Sequence, residues 1–210
     1  MAVAATIAAV FVLCFVRCTD DAFSVHVSIV DKESGGPLTD VFMVRTLISN
    51  WEIIPYPAHT GNPSWERVLS VTIERVSSGD LVTQPAHYGL IIPYYFGRVE
   101  YGKWYLESTV FRDDYRPDIL YPPRGVEMER WRPSDLRSRM VALAFAQIYL
   151  QEDLPLIDKA NPLRKGPLLI LKKQVQDVLR YDGQRDEAAA VLYRIDEALS
   201  EIERAEATPR

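Results

Sequence analysis

Apolar and polar side chains alternate strictly over residues 23–30. Phe23, Val25, Val27 and Ile29 fall on one side and Ser24, His26 and Ser28 on the other. A period of two is that of a strand with one buried face. Further strands are expected over residues 41–48, 69–73, 88–92 and 104–110. In the strand over 69–73, Leu69, Val71 and Ile73 alternate with polar residues and are expected inward; in the last, Trp104, Leu106 and Val110 line one face. Residues 31–37 (DKESGGP) predict a turn, because Gly permits positive φ and Pro cannot continue a ladder. Residues 77–80 predict a second turn, and Pro93 is expected to stop the fourth strand. Residues 51–65 break the rhythm with Pro55, Pro57, Gly61 and Pro63, and read as a long ordered loop. Short strands separated by turns predict an antiparallel β-sandwich over residues 22–122.

Beyond Pro122 and Pro123 the period becomes helical. A C-terminal subdomain of about three helices is expected over residues 133–206. In the first helix Ser134 is the predicted N-cap, following Pro133. Leu136, Met140, Leu143, Ala144 and Ile148 form its expected buried stripe, with Gln147 as the polar interruption. The second carries Pro167 in its first turn and runs to about Tyr181. The third starts near Arg185 and spaces Ala188, Val191, Leu192, Ile195, Leu199 and Ile202 by threes and fours. Arg and Glu cover its outer face.

The N-terminal end alters where this fold is expected to reside. Residues 2–16 (AVAATIAAVFVLCFV) carry no charge, and Arg17, Cys18, Thr19 and Asp20 follow. Fifteen helical residues reach about 22 Å, short of the roughly 30 Å hydrocarbon core. Residues 1–18 therefore read as an export signal or a short membrane anchor, lying outside the fold. Cys18 is the candidate for lipidation, although Phe15, Val16 and Arg17 fit a lipoprotein signal poorly. A cleaved signal, an uncleaved anchor and a buried N-terminal element remain open. The expected location is the periplasmic side of a bacterial envelope, with the N-terminus as the membrane contact.

Formal net charge is −5, and no Lys/Arg-rich run occurs, which disfavours nucleic-acid binding. Both cysteines, Cys14 and Cys18, sit in the leader. The remainder has no means of forming a disulfide, a thiolate metal site or a cysteine nucleophile.

Three segments carry a family pattern. Residues 30–41 read VDKESGGPLTDV, residues 83–93 TQPAHYGLIIP and residues 110–117 VFRDDYRP. In order and spacing they resemble the first hairpin, the second hairpin and the Tyr-x-Pro exit of carboxypeptidase regulatory-like domains, which are transthyretin-like (prealbumin-like) sandwiches. Gln84 stands where that family usually has Asp, and Asp114 where Gly usually precedes the Tyr. The resemblance covers roughly residues 22–120. It implies a transthyretin- or immunoglobulin-like, non-catalytic sandwich on an exported protein, and brings no catalytic residue, metal or cofactor.

His26, His59 and His87 are the three histidines, and none lies in an HExxH or HxH spacing. Surface or hydrogen-bonded histidines are the default, against a zinc site with Asp40 or Glu52. No Gly-x-Ser-x-Gly elbow is present. Aromatics are the better binding candidates, since Tyr and Trp bury much area at small entropy cost. Trp51, Tyr56 and Trp65 in the 51–65 loop, with Tyr94, Tyr95 and Tyr101, form the expected patch; core packing is the competing use. The leading expectation is an envelope-anchored, non-catalytic binding or scaffold protein with a protein or glycan partner. The alternatives are an immunity-type inhibitor using the 51–65 loop and a His-dependent hydrolase.

Overall fold

The computed structural model describes residues 16–19, 25–55, 64–78, 80–83, 88–94, 98–120 and 125–207. Among these lie β1 (Val16–Thr19), β2 (Val25–Asp31), β3 (Val41–Pro55), β4 (Ser64–Val76) and β5 (Asp80–Thr83). They are followed by β6 (Tyr88–Tyr94), β7 (Arg98–Phe111), β8 (Asp118–Leu120) and β9 (Val126–Met128). Three α-helices complete the chain: α1 (Leu136–Ile148), α2 (Lys165–Val178) and α3 (Arg185–Ala207). α1 runs directly into a π-helical turn, Tyr149–Asp153.

A large antiparallel sheet has the order β1-β6-β7-β3-β4. β8 pairs with Ser108, Thr109 and Val110 of β7, beyond the stretch taken by β6. A small sheet has the order β5-β2-β9, in which β2 and β9 are parallel. The expectation of a wholly antiparallel fold is corrected here. β9 arrives by crossing from the large sheet, so no hairpin dictates its direction.

The resemblance implies hairpins at residues 30–41 and 83–93. Each instead carries the chain from one sheet to the other, since β2 pairs with β5 and β9 while β3 pairs with β4 and β7. A single bridge, Val30 to Pro37, is all that remains of the first hairpin. Sheet pairing also continues past Pro122 and Pro123, in β9.

Alternation along the central strands serves two cores. Val41 and Met43 of β3, Val76 of β4 and Val110 of β7 pack with Val27 and Ile29 of β2 and Val126 and Met128 of β9. On the other face Val44, Val71, Ile73 and Phe111 pack with Leu143, Tyr149, Leu168, Leu171 and Ile195 of the helical region. The middle of the large sheet is thus covered on both sides. Burying each such side chain stabilises by about 1.5–3 kcal/mol. Phe111 stacks edge-on against Phe145 and Tyr149, with centroids 6.2 and 5.7 Å away.

Leu69 departs from the alternation. The β3–β4 register shifts between Leu47/Ser70 and Ile48/Val68, so Leu69 is the extra residue of a bulge. It is 46% exposed, and Val68 packs toward the helices instead. The expected 51–65 loop is strand at both its ends: β3 runs to Pro55, β4 begins at Ser64, and Trp51 pairs with Trp65. Its tip, residues 56–63, lies outside the described residues.

α1 differs from its expected form in two ways. Its cap is Asp135, not Ser134; the Asp135 carboxylate accepts from the backbone N–H of Arg137 and Ser138. Its buried face is Ser138, Ala142, Leu143 and Ala146, while Leu136, Met140, Ala144 and Ile148 are exposed. Small side chains at 138, 142 and 146 allow the helix to sit close to its neighbours, and Phe145 and Tyr149 close the end against Phe111. α3 buries Ala188, Val191, Ile195, Leu199 and Ile202, the stripe read from its sequence apart from partly buried Leu192.

α2 fastens the helices to the sheets. Buried Gln174 donates from Nε2 to the Tyr115 carbonyl at 2.7 Å, and the Trp131 indole donates to Asp177 at 3.0 Å. Lys173 donates to Asp113 and Asp114. No helix among the described residues is long and apolar enough to cross a membrane.

Candidate functional site

Asp31 ends β2 and organises everything around it. Its Oδ1 accepts from the backbone N–H of Glu33 at 2.7 Å and of Ser34 at 2.9 Å. Gly35 takes φ +68° and donates to the Asp31 carbonyl, closing the turn. Oδ2 of the same carboxylate accepts from the Tyr115 hydroxyl at 2.5 Å and from Arg130 at 3.0 Å. Donation from Tyr115 first, then from the Ser34 amide, holds the Asp31 carboxyl well below the usual carboxylate range. Burial, and then its bond to Asp31, push the Tyr115 hydroxyl up.

The second wall follows from Tyr115. Asp114 adopts φ +63°, and residues 114–116 then align with residues 129–131. The Arg116 N–H donates to the Glu129 carbonyl, and the Trp131 N–H to that of Asp114, each at 2.8 Å. Arg112 and Arg130 lie 4.8 and 5.4 Å from the Tyr115 ring centroid. The chain then turns into α1 through Pro133, Ser134 and Asp135.

These walls enclose a cleft of about 670 Å³. It is lined by Lys32 and Glu33 from the turn, Glu129, Arg130 and Arg132 from the segment after β9, and Ser134, Asp135 and Ser138 at the start of α1. Three cations face three carboxylates. Lys32 meets Glu129 at 2.6 Å, and Arg116, buried behind it, reaches the other oxygen of Glu129 at 2.9 Å. Glu33 pairs with Arg132 and, at 3.8 Å, with Arg130. The bond from Lys32 lowers the Glu129 pKa, and the Ser138 hydroxyl lowers that of Asp135. Three basic and three acidic side chains thus leave the lining close to self-neutralised.

Ser138 donates to Asp135 at 2.8 Å as part of a helix cap. Among the described residues no group of three or more His, Cys, Asp or Glu is placed to hold a metal ion. Chemically the cleft offers hydrogen bonds and exchangeable ion pairs.

The residues expected to bind lie elsewhere. Trp51 pairs with Trp65 and Gly102 far along the large sheet. Tyr101 pairs with Glu52 and Ile91 in the adjacent row, and Tyr94 ends β6 opposite Arg98. Tyr56 and Tyr95 lie outside the described residues, as do His59 and His87. His26 stands in β2 opposite Val82. Asp40, which with Glu52 entered only the disfavoured zinc alternative, takes φ +58° and pairs with Arg75 at 3.2 Å. Cys18 is in β1 opposite Gly89, so residues 16–18 of the expected leader take part in the sheet. Residues 1–15 lie outside the described residues.

The sequence reading missed the cleft. Its only local signals are Lys32 and Glu33 in the turn and the charged run Glu129, Arg130, Arg132. Nothing in either run announces the other.

A second polar feature lies at the sheet–helix seam. Asp153 is buried in the π-helical turn and accepts from the Thr46 hydroxyl at 3.1 Å. Burial raises its pKa to about 6, with Glu152 and Glu107 adding to the rise and the Thr46 bond opposing it. Tyr149, also buried, donates to the Arg164 carbonyl at 2.9 Å.

No family model, no curated protein and no solved structure matches this chain.

Proposed function

We propose that this chain is a non-catalytic binding protein of the transthyretin-like sandwich type, held at a bacterial envelope through its N-terminus, and that its charged cleft receives a protein partner. Two features support the sandwich reading. The two sheets share one apolar core, and the chain crosses between them from β2 to β3, β4 to β5, β5 to β6 and β8 to β9. Two details support the likeness to carboxypeptidase regulatory-like domains. Asp31 and Gly35 shape the first turn, and Asp114 takes the left-handed backbone where that family usually has Gly.

The observation carrying the binding reading is the cleft's lining of interlocked opposite charges. Small-molecule sites are lined mostly by apolar residues with few polar groups. Every residue lining this one is polar or charged, and exposed ion pairs of this kind are each worth about 0–1 kcal/mol. A partner with both signs of charge replaces them at little cost and gains orientation and encounter rate. A polypeptide segment fits that description better than a neutral glycan.

The test uses the full chain, captured from its own membranes with its bound partner. Lys32→Glu with Arg132→Glu reverses two exposed cations and leaves Asp31 and Arg130 intact. Loss of one stoichiometric protein, by at least about tenfold and in a salt-dependent manner, is the expected result. Undiminished capture by the double variant refutes the cleft as the binding surface. Retention of the chain on purified envelope glycan, with no protein captured, refutes the partner class.

A further inference from the structure

Arg130 and Arg132 reach the cleft from one short extended segment. The bridge from Arg130 to Tyr115 and the bond from the Trp131 N–H to the Asp114 carbonyl fix its backbone. Alternate residues of an extended chain face the same way. Trp131, between the two, sends its indole to Asp177 of α2, while both guanidiniums meet Glu33 of the turn.

The two guanidiniums thus share one carboxylate. Glu33 Oε1 pairs with Arg132 Nη2, and Oε2 lies 3.8 Å from Arg130 Nε, too long for a hydrogen bond. Arg130 is positioned without Glu33. Its Nη2 donates to buried Asp31 at 3.0 Å, and it lies over the Tyr115 ring. The turn is equally independent of the Glu33 side chain, because Asp31 accepts from the backbone N–H of Glu33 and of Ser34. The Glu33 side chain is about half exposed, and those of Arg130 and Arg132 more than half. Both walls therefore keep their shape when this carboxylate swings away. Charge behind the lining favours another anion in its place. Arg116 and Arg137 both act on Glu129, and Arg112 lies over Tyr115, whereas Asp31 supplies one further negative charge.

We propose that Arg130 and Arg132 are the carboxylate-binding element of the cleft, and that Glu33 is its internal placeholder, displaced by a carboxylate of the partner. This role rests on the cleft being the binding surface. A guanidinium takes a planar carboxylate through two parallel N–H bonds. An Asp or Glu side chain and the C-terminal carboxylate of a chain offer that same group. The incoming carboxylate gains the bond to Arg130 Nε that Glu33 is too distant to make. Glu33 exchanges its exposed pairs for water, and such a pair resists displacement by about fivefold at most.

The experiment uses the full chain in a non-ionic detergent, labelled at its arginines with heavy nitrogen. Short Gly/Ser peptides serve as probes: one with two glutamates and both ends blocked, one with a free C-terminal carboxylate and no acidic side chain, and one with neither. Inorganic phosphate is the fourth probe. Titration follows the Nε–H signals of Arg130 and Arg132, assigned by Arg130→Lys and Arg132→Lys. At least one carboxylate peptide is expected to shift both signals, and the neutral peptide neither. Glu33→Gln should tighten that binding by roughly two- to fivefold, the range an exposed ion pair permits. Arg132→Gln should weaken it by about fivefold or more. The peptide that binds identifies the source of the carboxylate. An affinity unchanged or weakened by Glu33→Gln overturns the proposal. So does equal binding of the neutral peptide, absence of a shift with both carboxylates, or tighter binding of phosphate than of either. The two readings fail separately. Undiminished capture of a protein from membranes by Lys32→Glu with Arg132→Glu removes the cleft reading. Loss of that capture, with no gain from Glu33→Gln, leaves the cleft standing and removes the placeholder.

Discussion

Asp153 gives the chain a stability that falls as pH rises through mild acid. In the folded chain this carboxyl titrates at about 6, against a reference of 3.8. Between those values the folded chain keeps a proton that the unfolded chain has released. Stability therefore declines across that window and stays lower above it. The rise corresponds to at most about 3 kcal/mol, because the carboxyl retains some contact with water. Asp153→Asn removes the titration while leaving an oxygen to accept from Thr46. Urea unfolding of both chains at pH 4, 5, 6 and 7.5 measures the effect. The variant is expected to exceed the wild type by roughly 2–3 kcal/mol at pH 7.5 and to match it near pH 4. Asp31, Glu129 and Asp135 act in the opposite sense. Their folded pKa values are depressed, so their contribution is present above the usual carboxylate range and lost as pH falls through it. The wild type should thus be most stable near pH 5. Equal stability of the two chains at pH 7.5, or a flat wild-type profile between pH 5 and 7, refutes the reasoning.

Gly125→Ala should destabilise strongly, because a β-carbon there would lie 2.2 Å from the Ser28 carbonyl oxygen, which is backbone and has no room to yield. A cost of about 1–3 kcal/mol or more, seen as a lowered thermal midpoint, is expected. Tyr115→Phe withdraws the hydroxyl from buried Asp31 and leaves Arg130 as the remaining donor to that oxygen; urea unfolding at neutral pH should show a loss of about 1–3 kcal/mol. Asp40 sits at φ +58° with an exposed ion pair to Arg75, so Asp40→Gly should shift stability by less than about 1 kcal/mol while Asp40→Val lowers it by about 1–2 kcal/mol. Equal effects of the Gly and Val changes on the melting temperature would remove the backbone argument.

The helices show what periodicity conveys and where it stops. α3 is solvated along its outer side, and its single apolar stripe has only one way to turn. α1 has two competing rows, the larger side chains at 136, 140, 144 and 148 and the smaller ones at 138, 142 and 146. Hydrophobicity alone favours the first, yet the second is buried, because close approach to neighbouring elements rewards small residues and places Tyr149 against Phe111. Leu69 fails for a related reason. A bulge is a property of two paired strands, and its location is not written in the alternation of either one.

Turn chemistry is local and was legible; sheet membership is not. The glycines of residues 31–37 identify a reversal whether the chain returns beside β2 or crosses to the other sheet, and the same residues serve both. The cleft inherits this blindness, because Lys32 and Glu129 lie 97 positions apart and meet only once β9 has joined β2. Asp31 joins the two problems. Its carboxylate closes the turn on one side and holds Tyr115 and Arg130 on the other, so the residue that shapes the first wall also positions the second. Substituting it would disturb folding and binding together and separate nothing. Lys32 and Arg132, half or more exposed and bonded outward from that hub, are the positions where the proposed binding can be tested while the architecture stands.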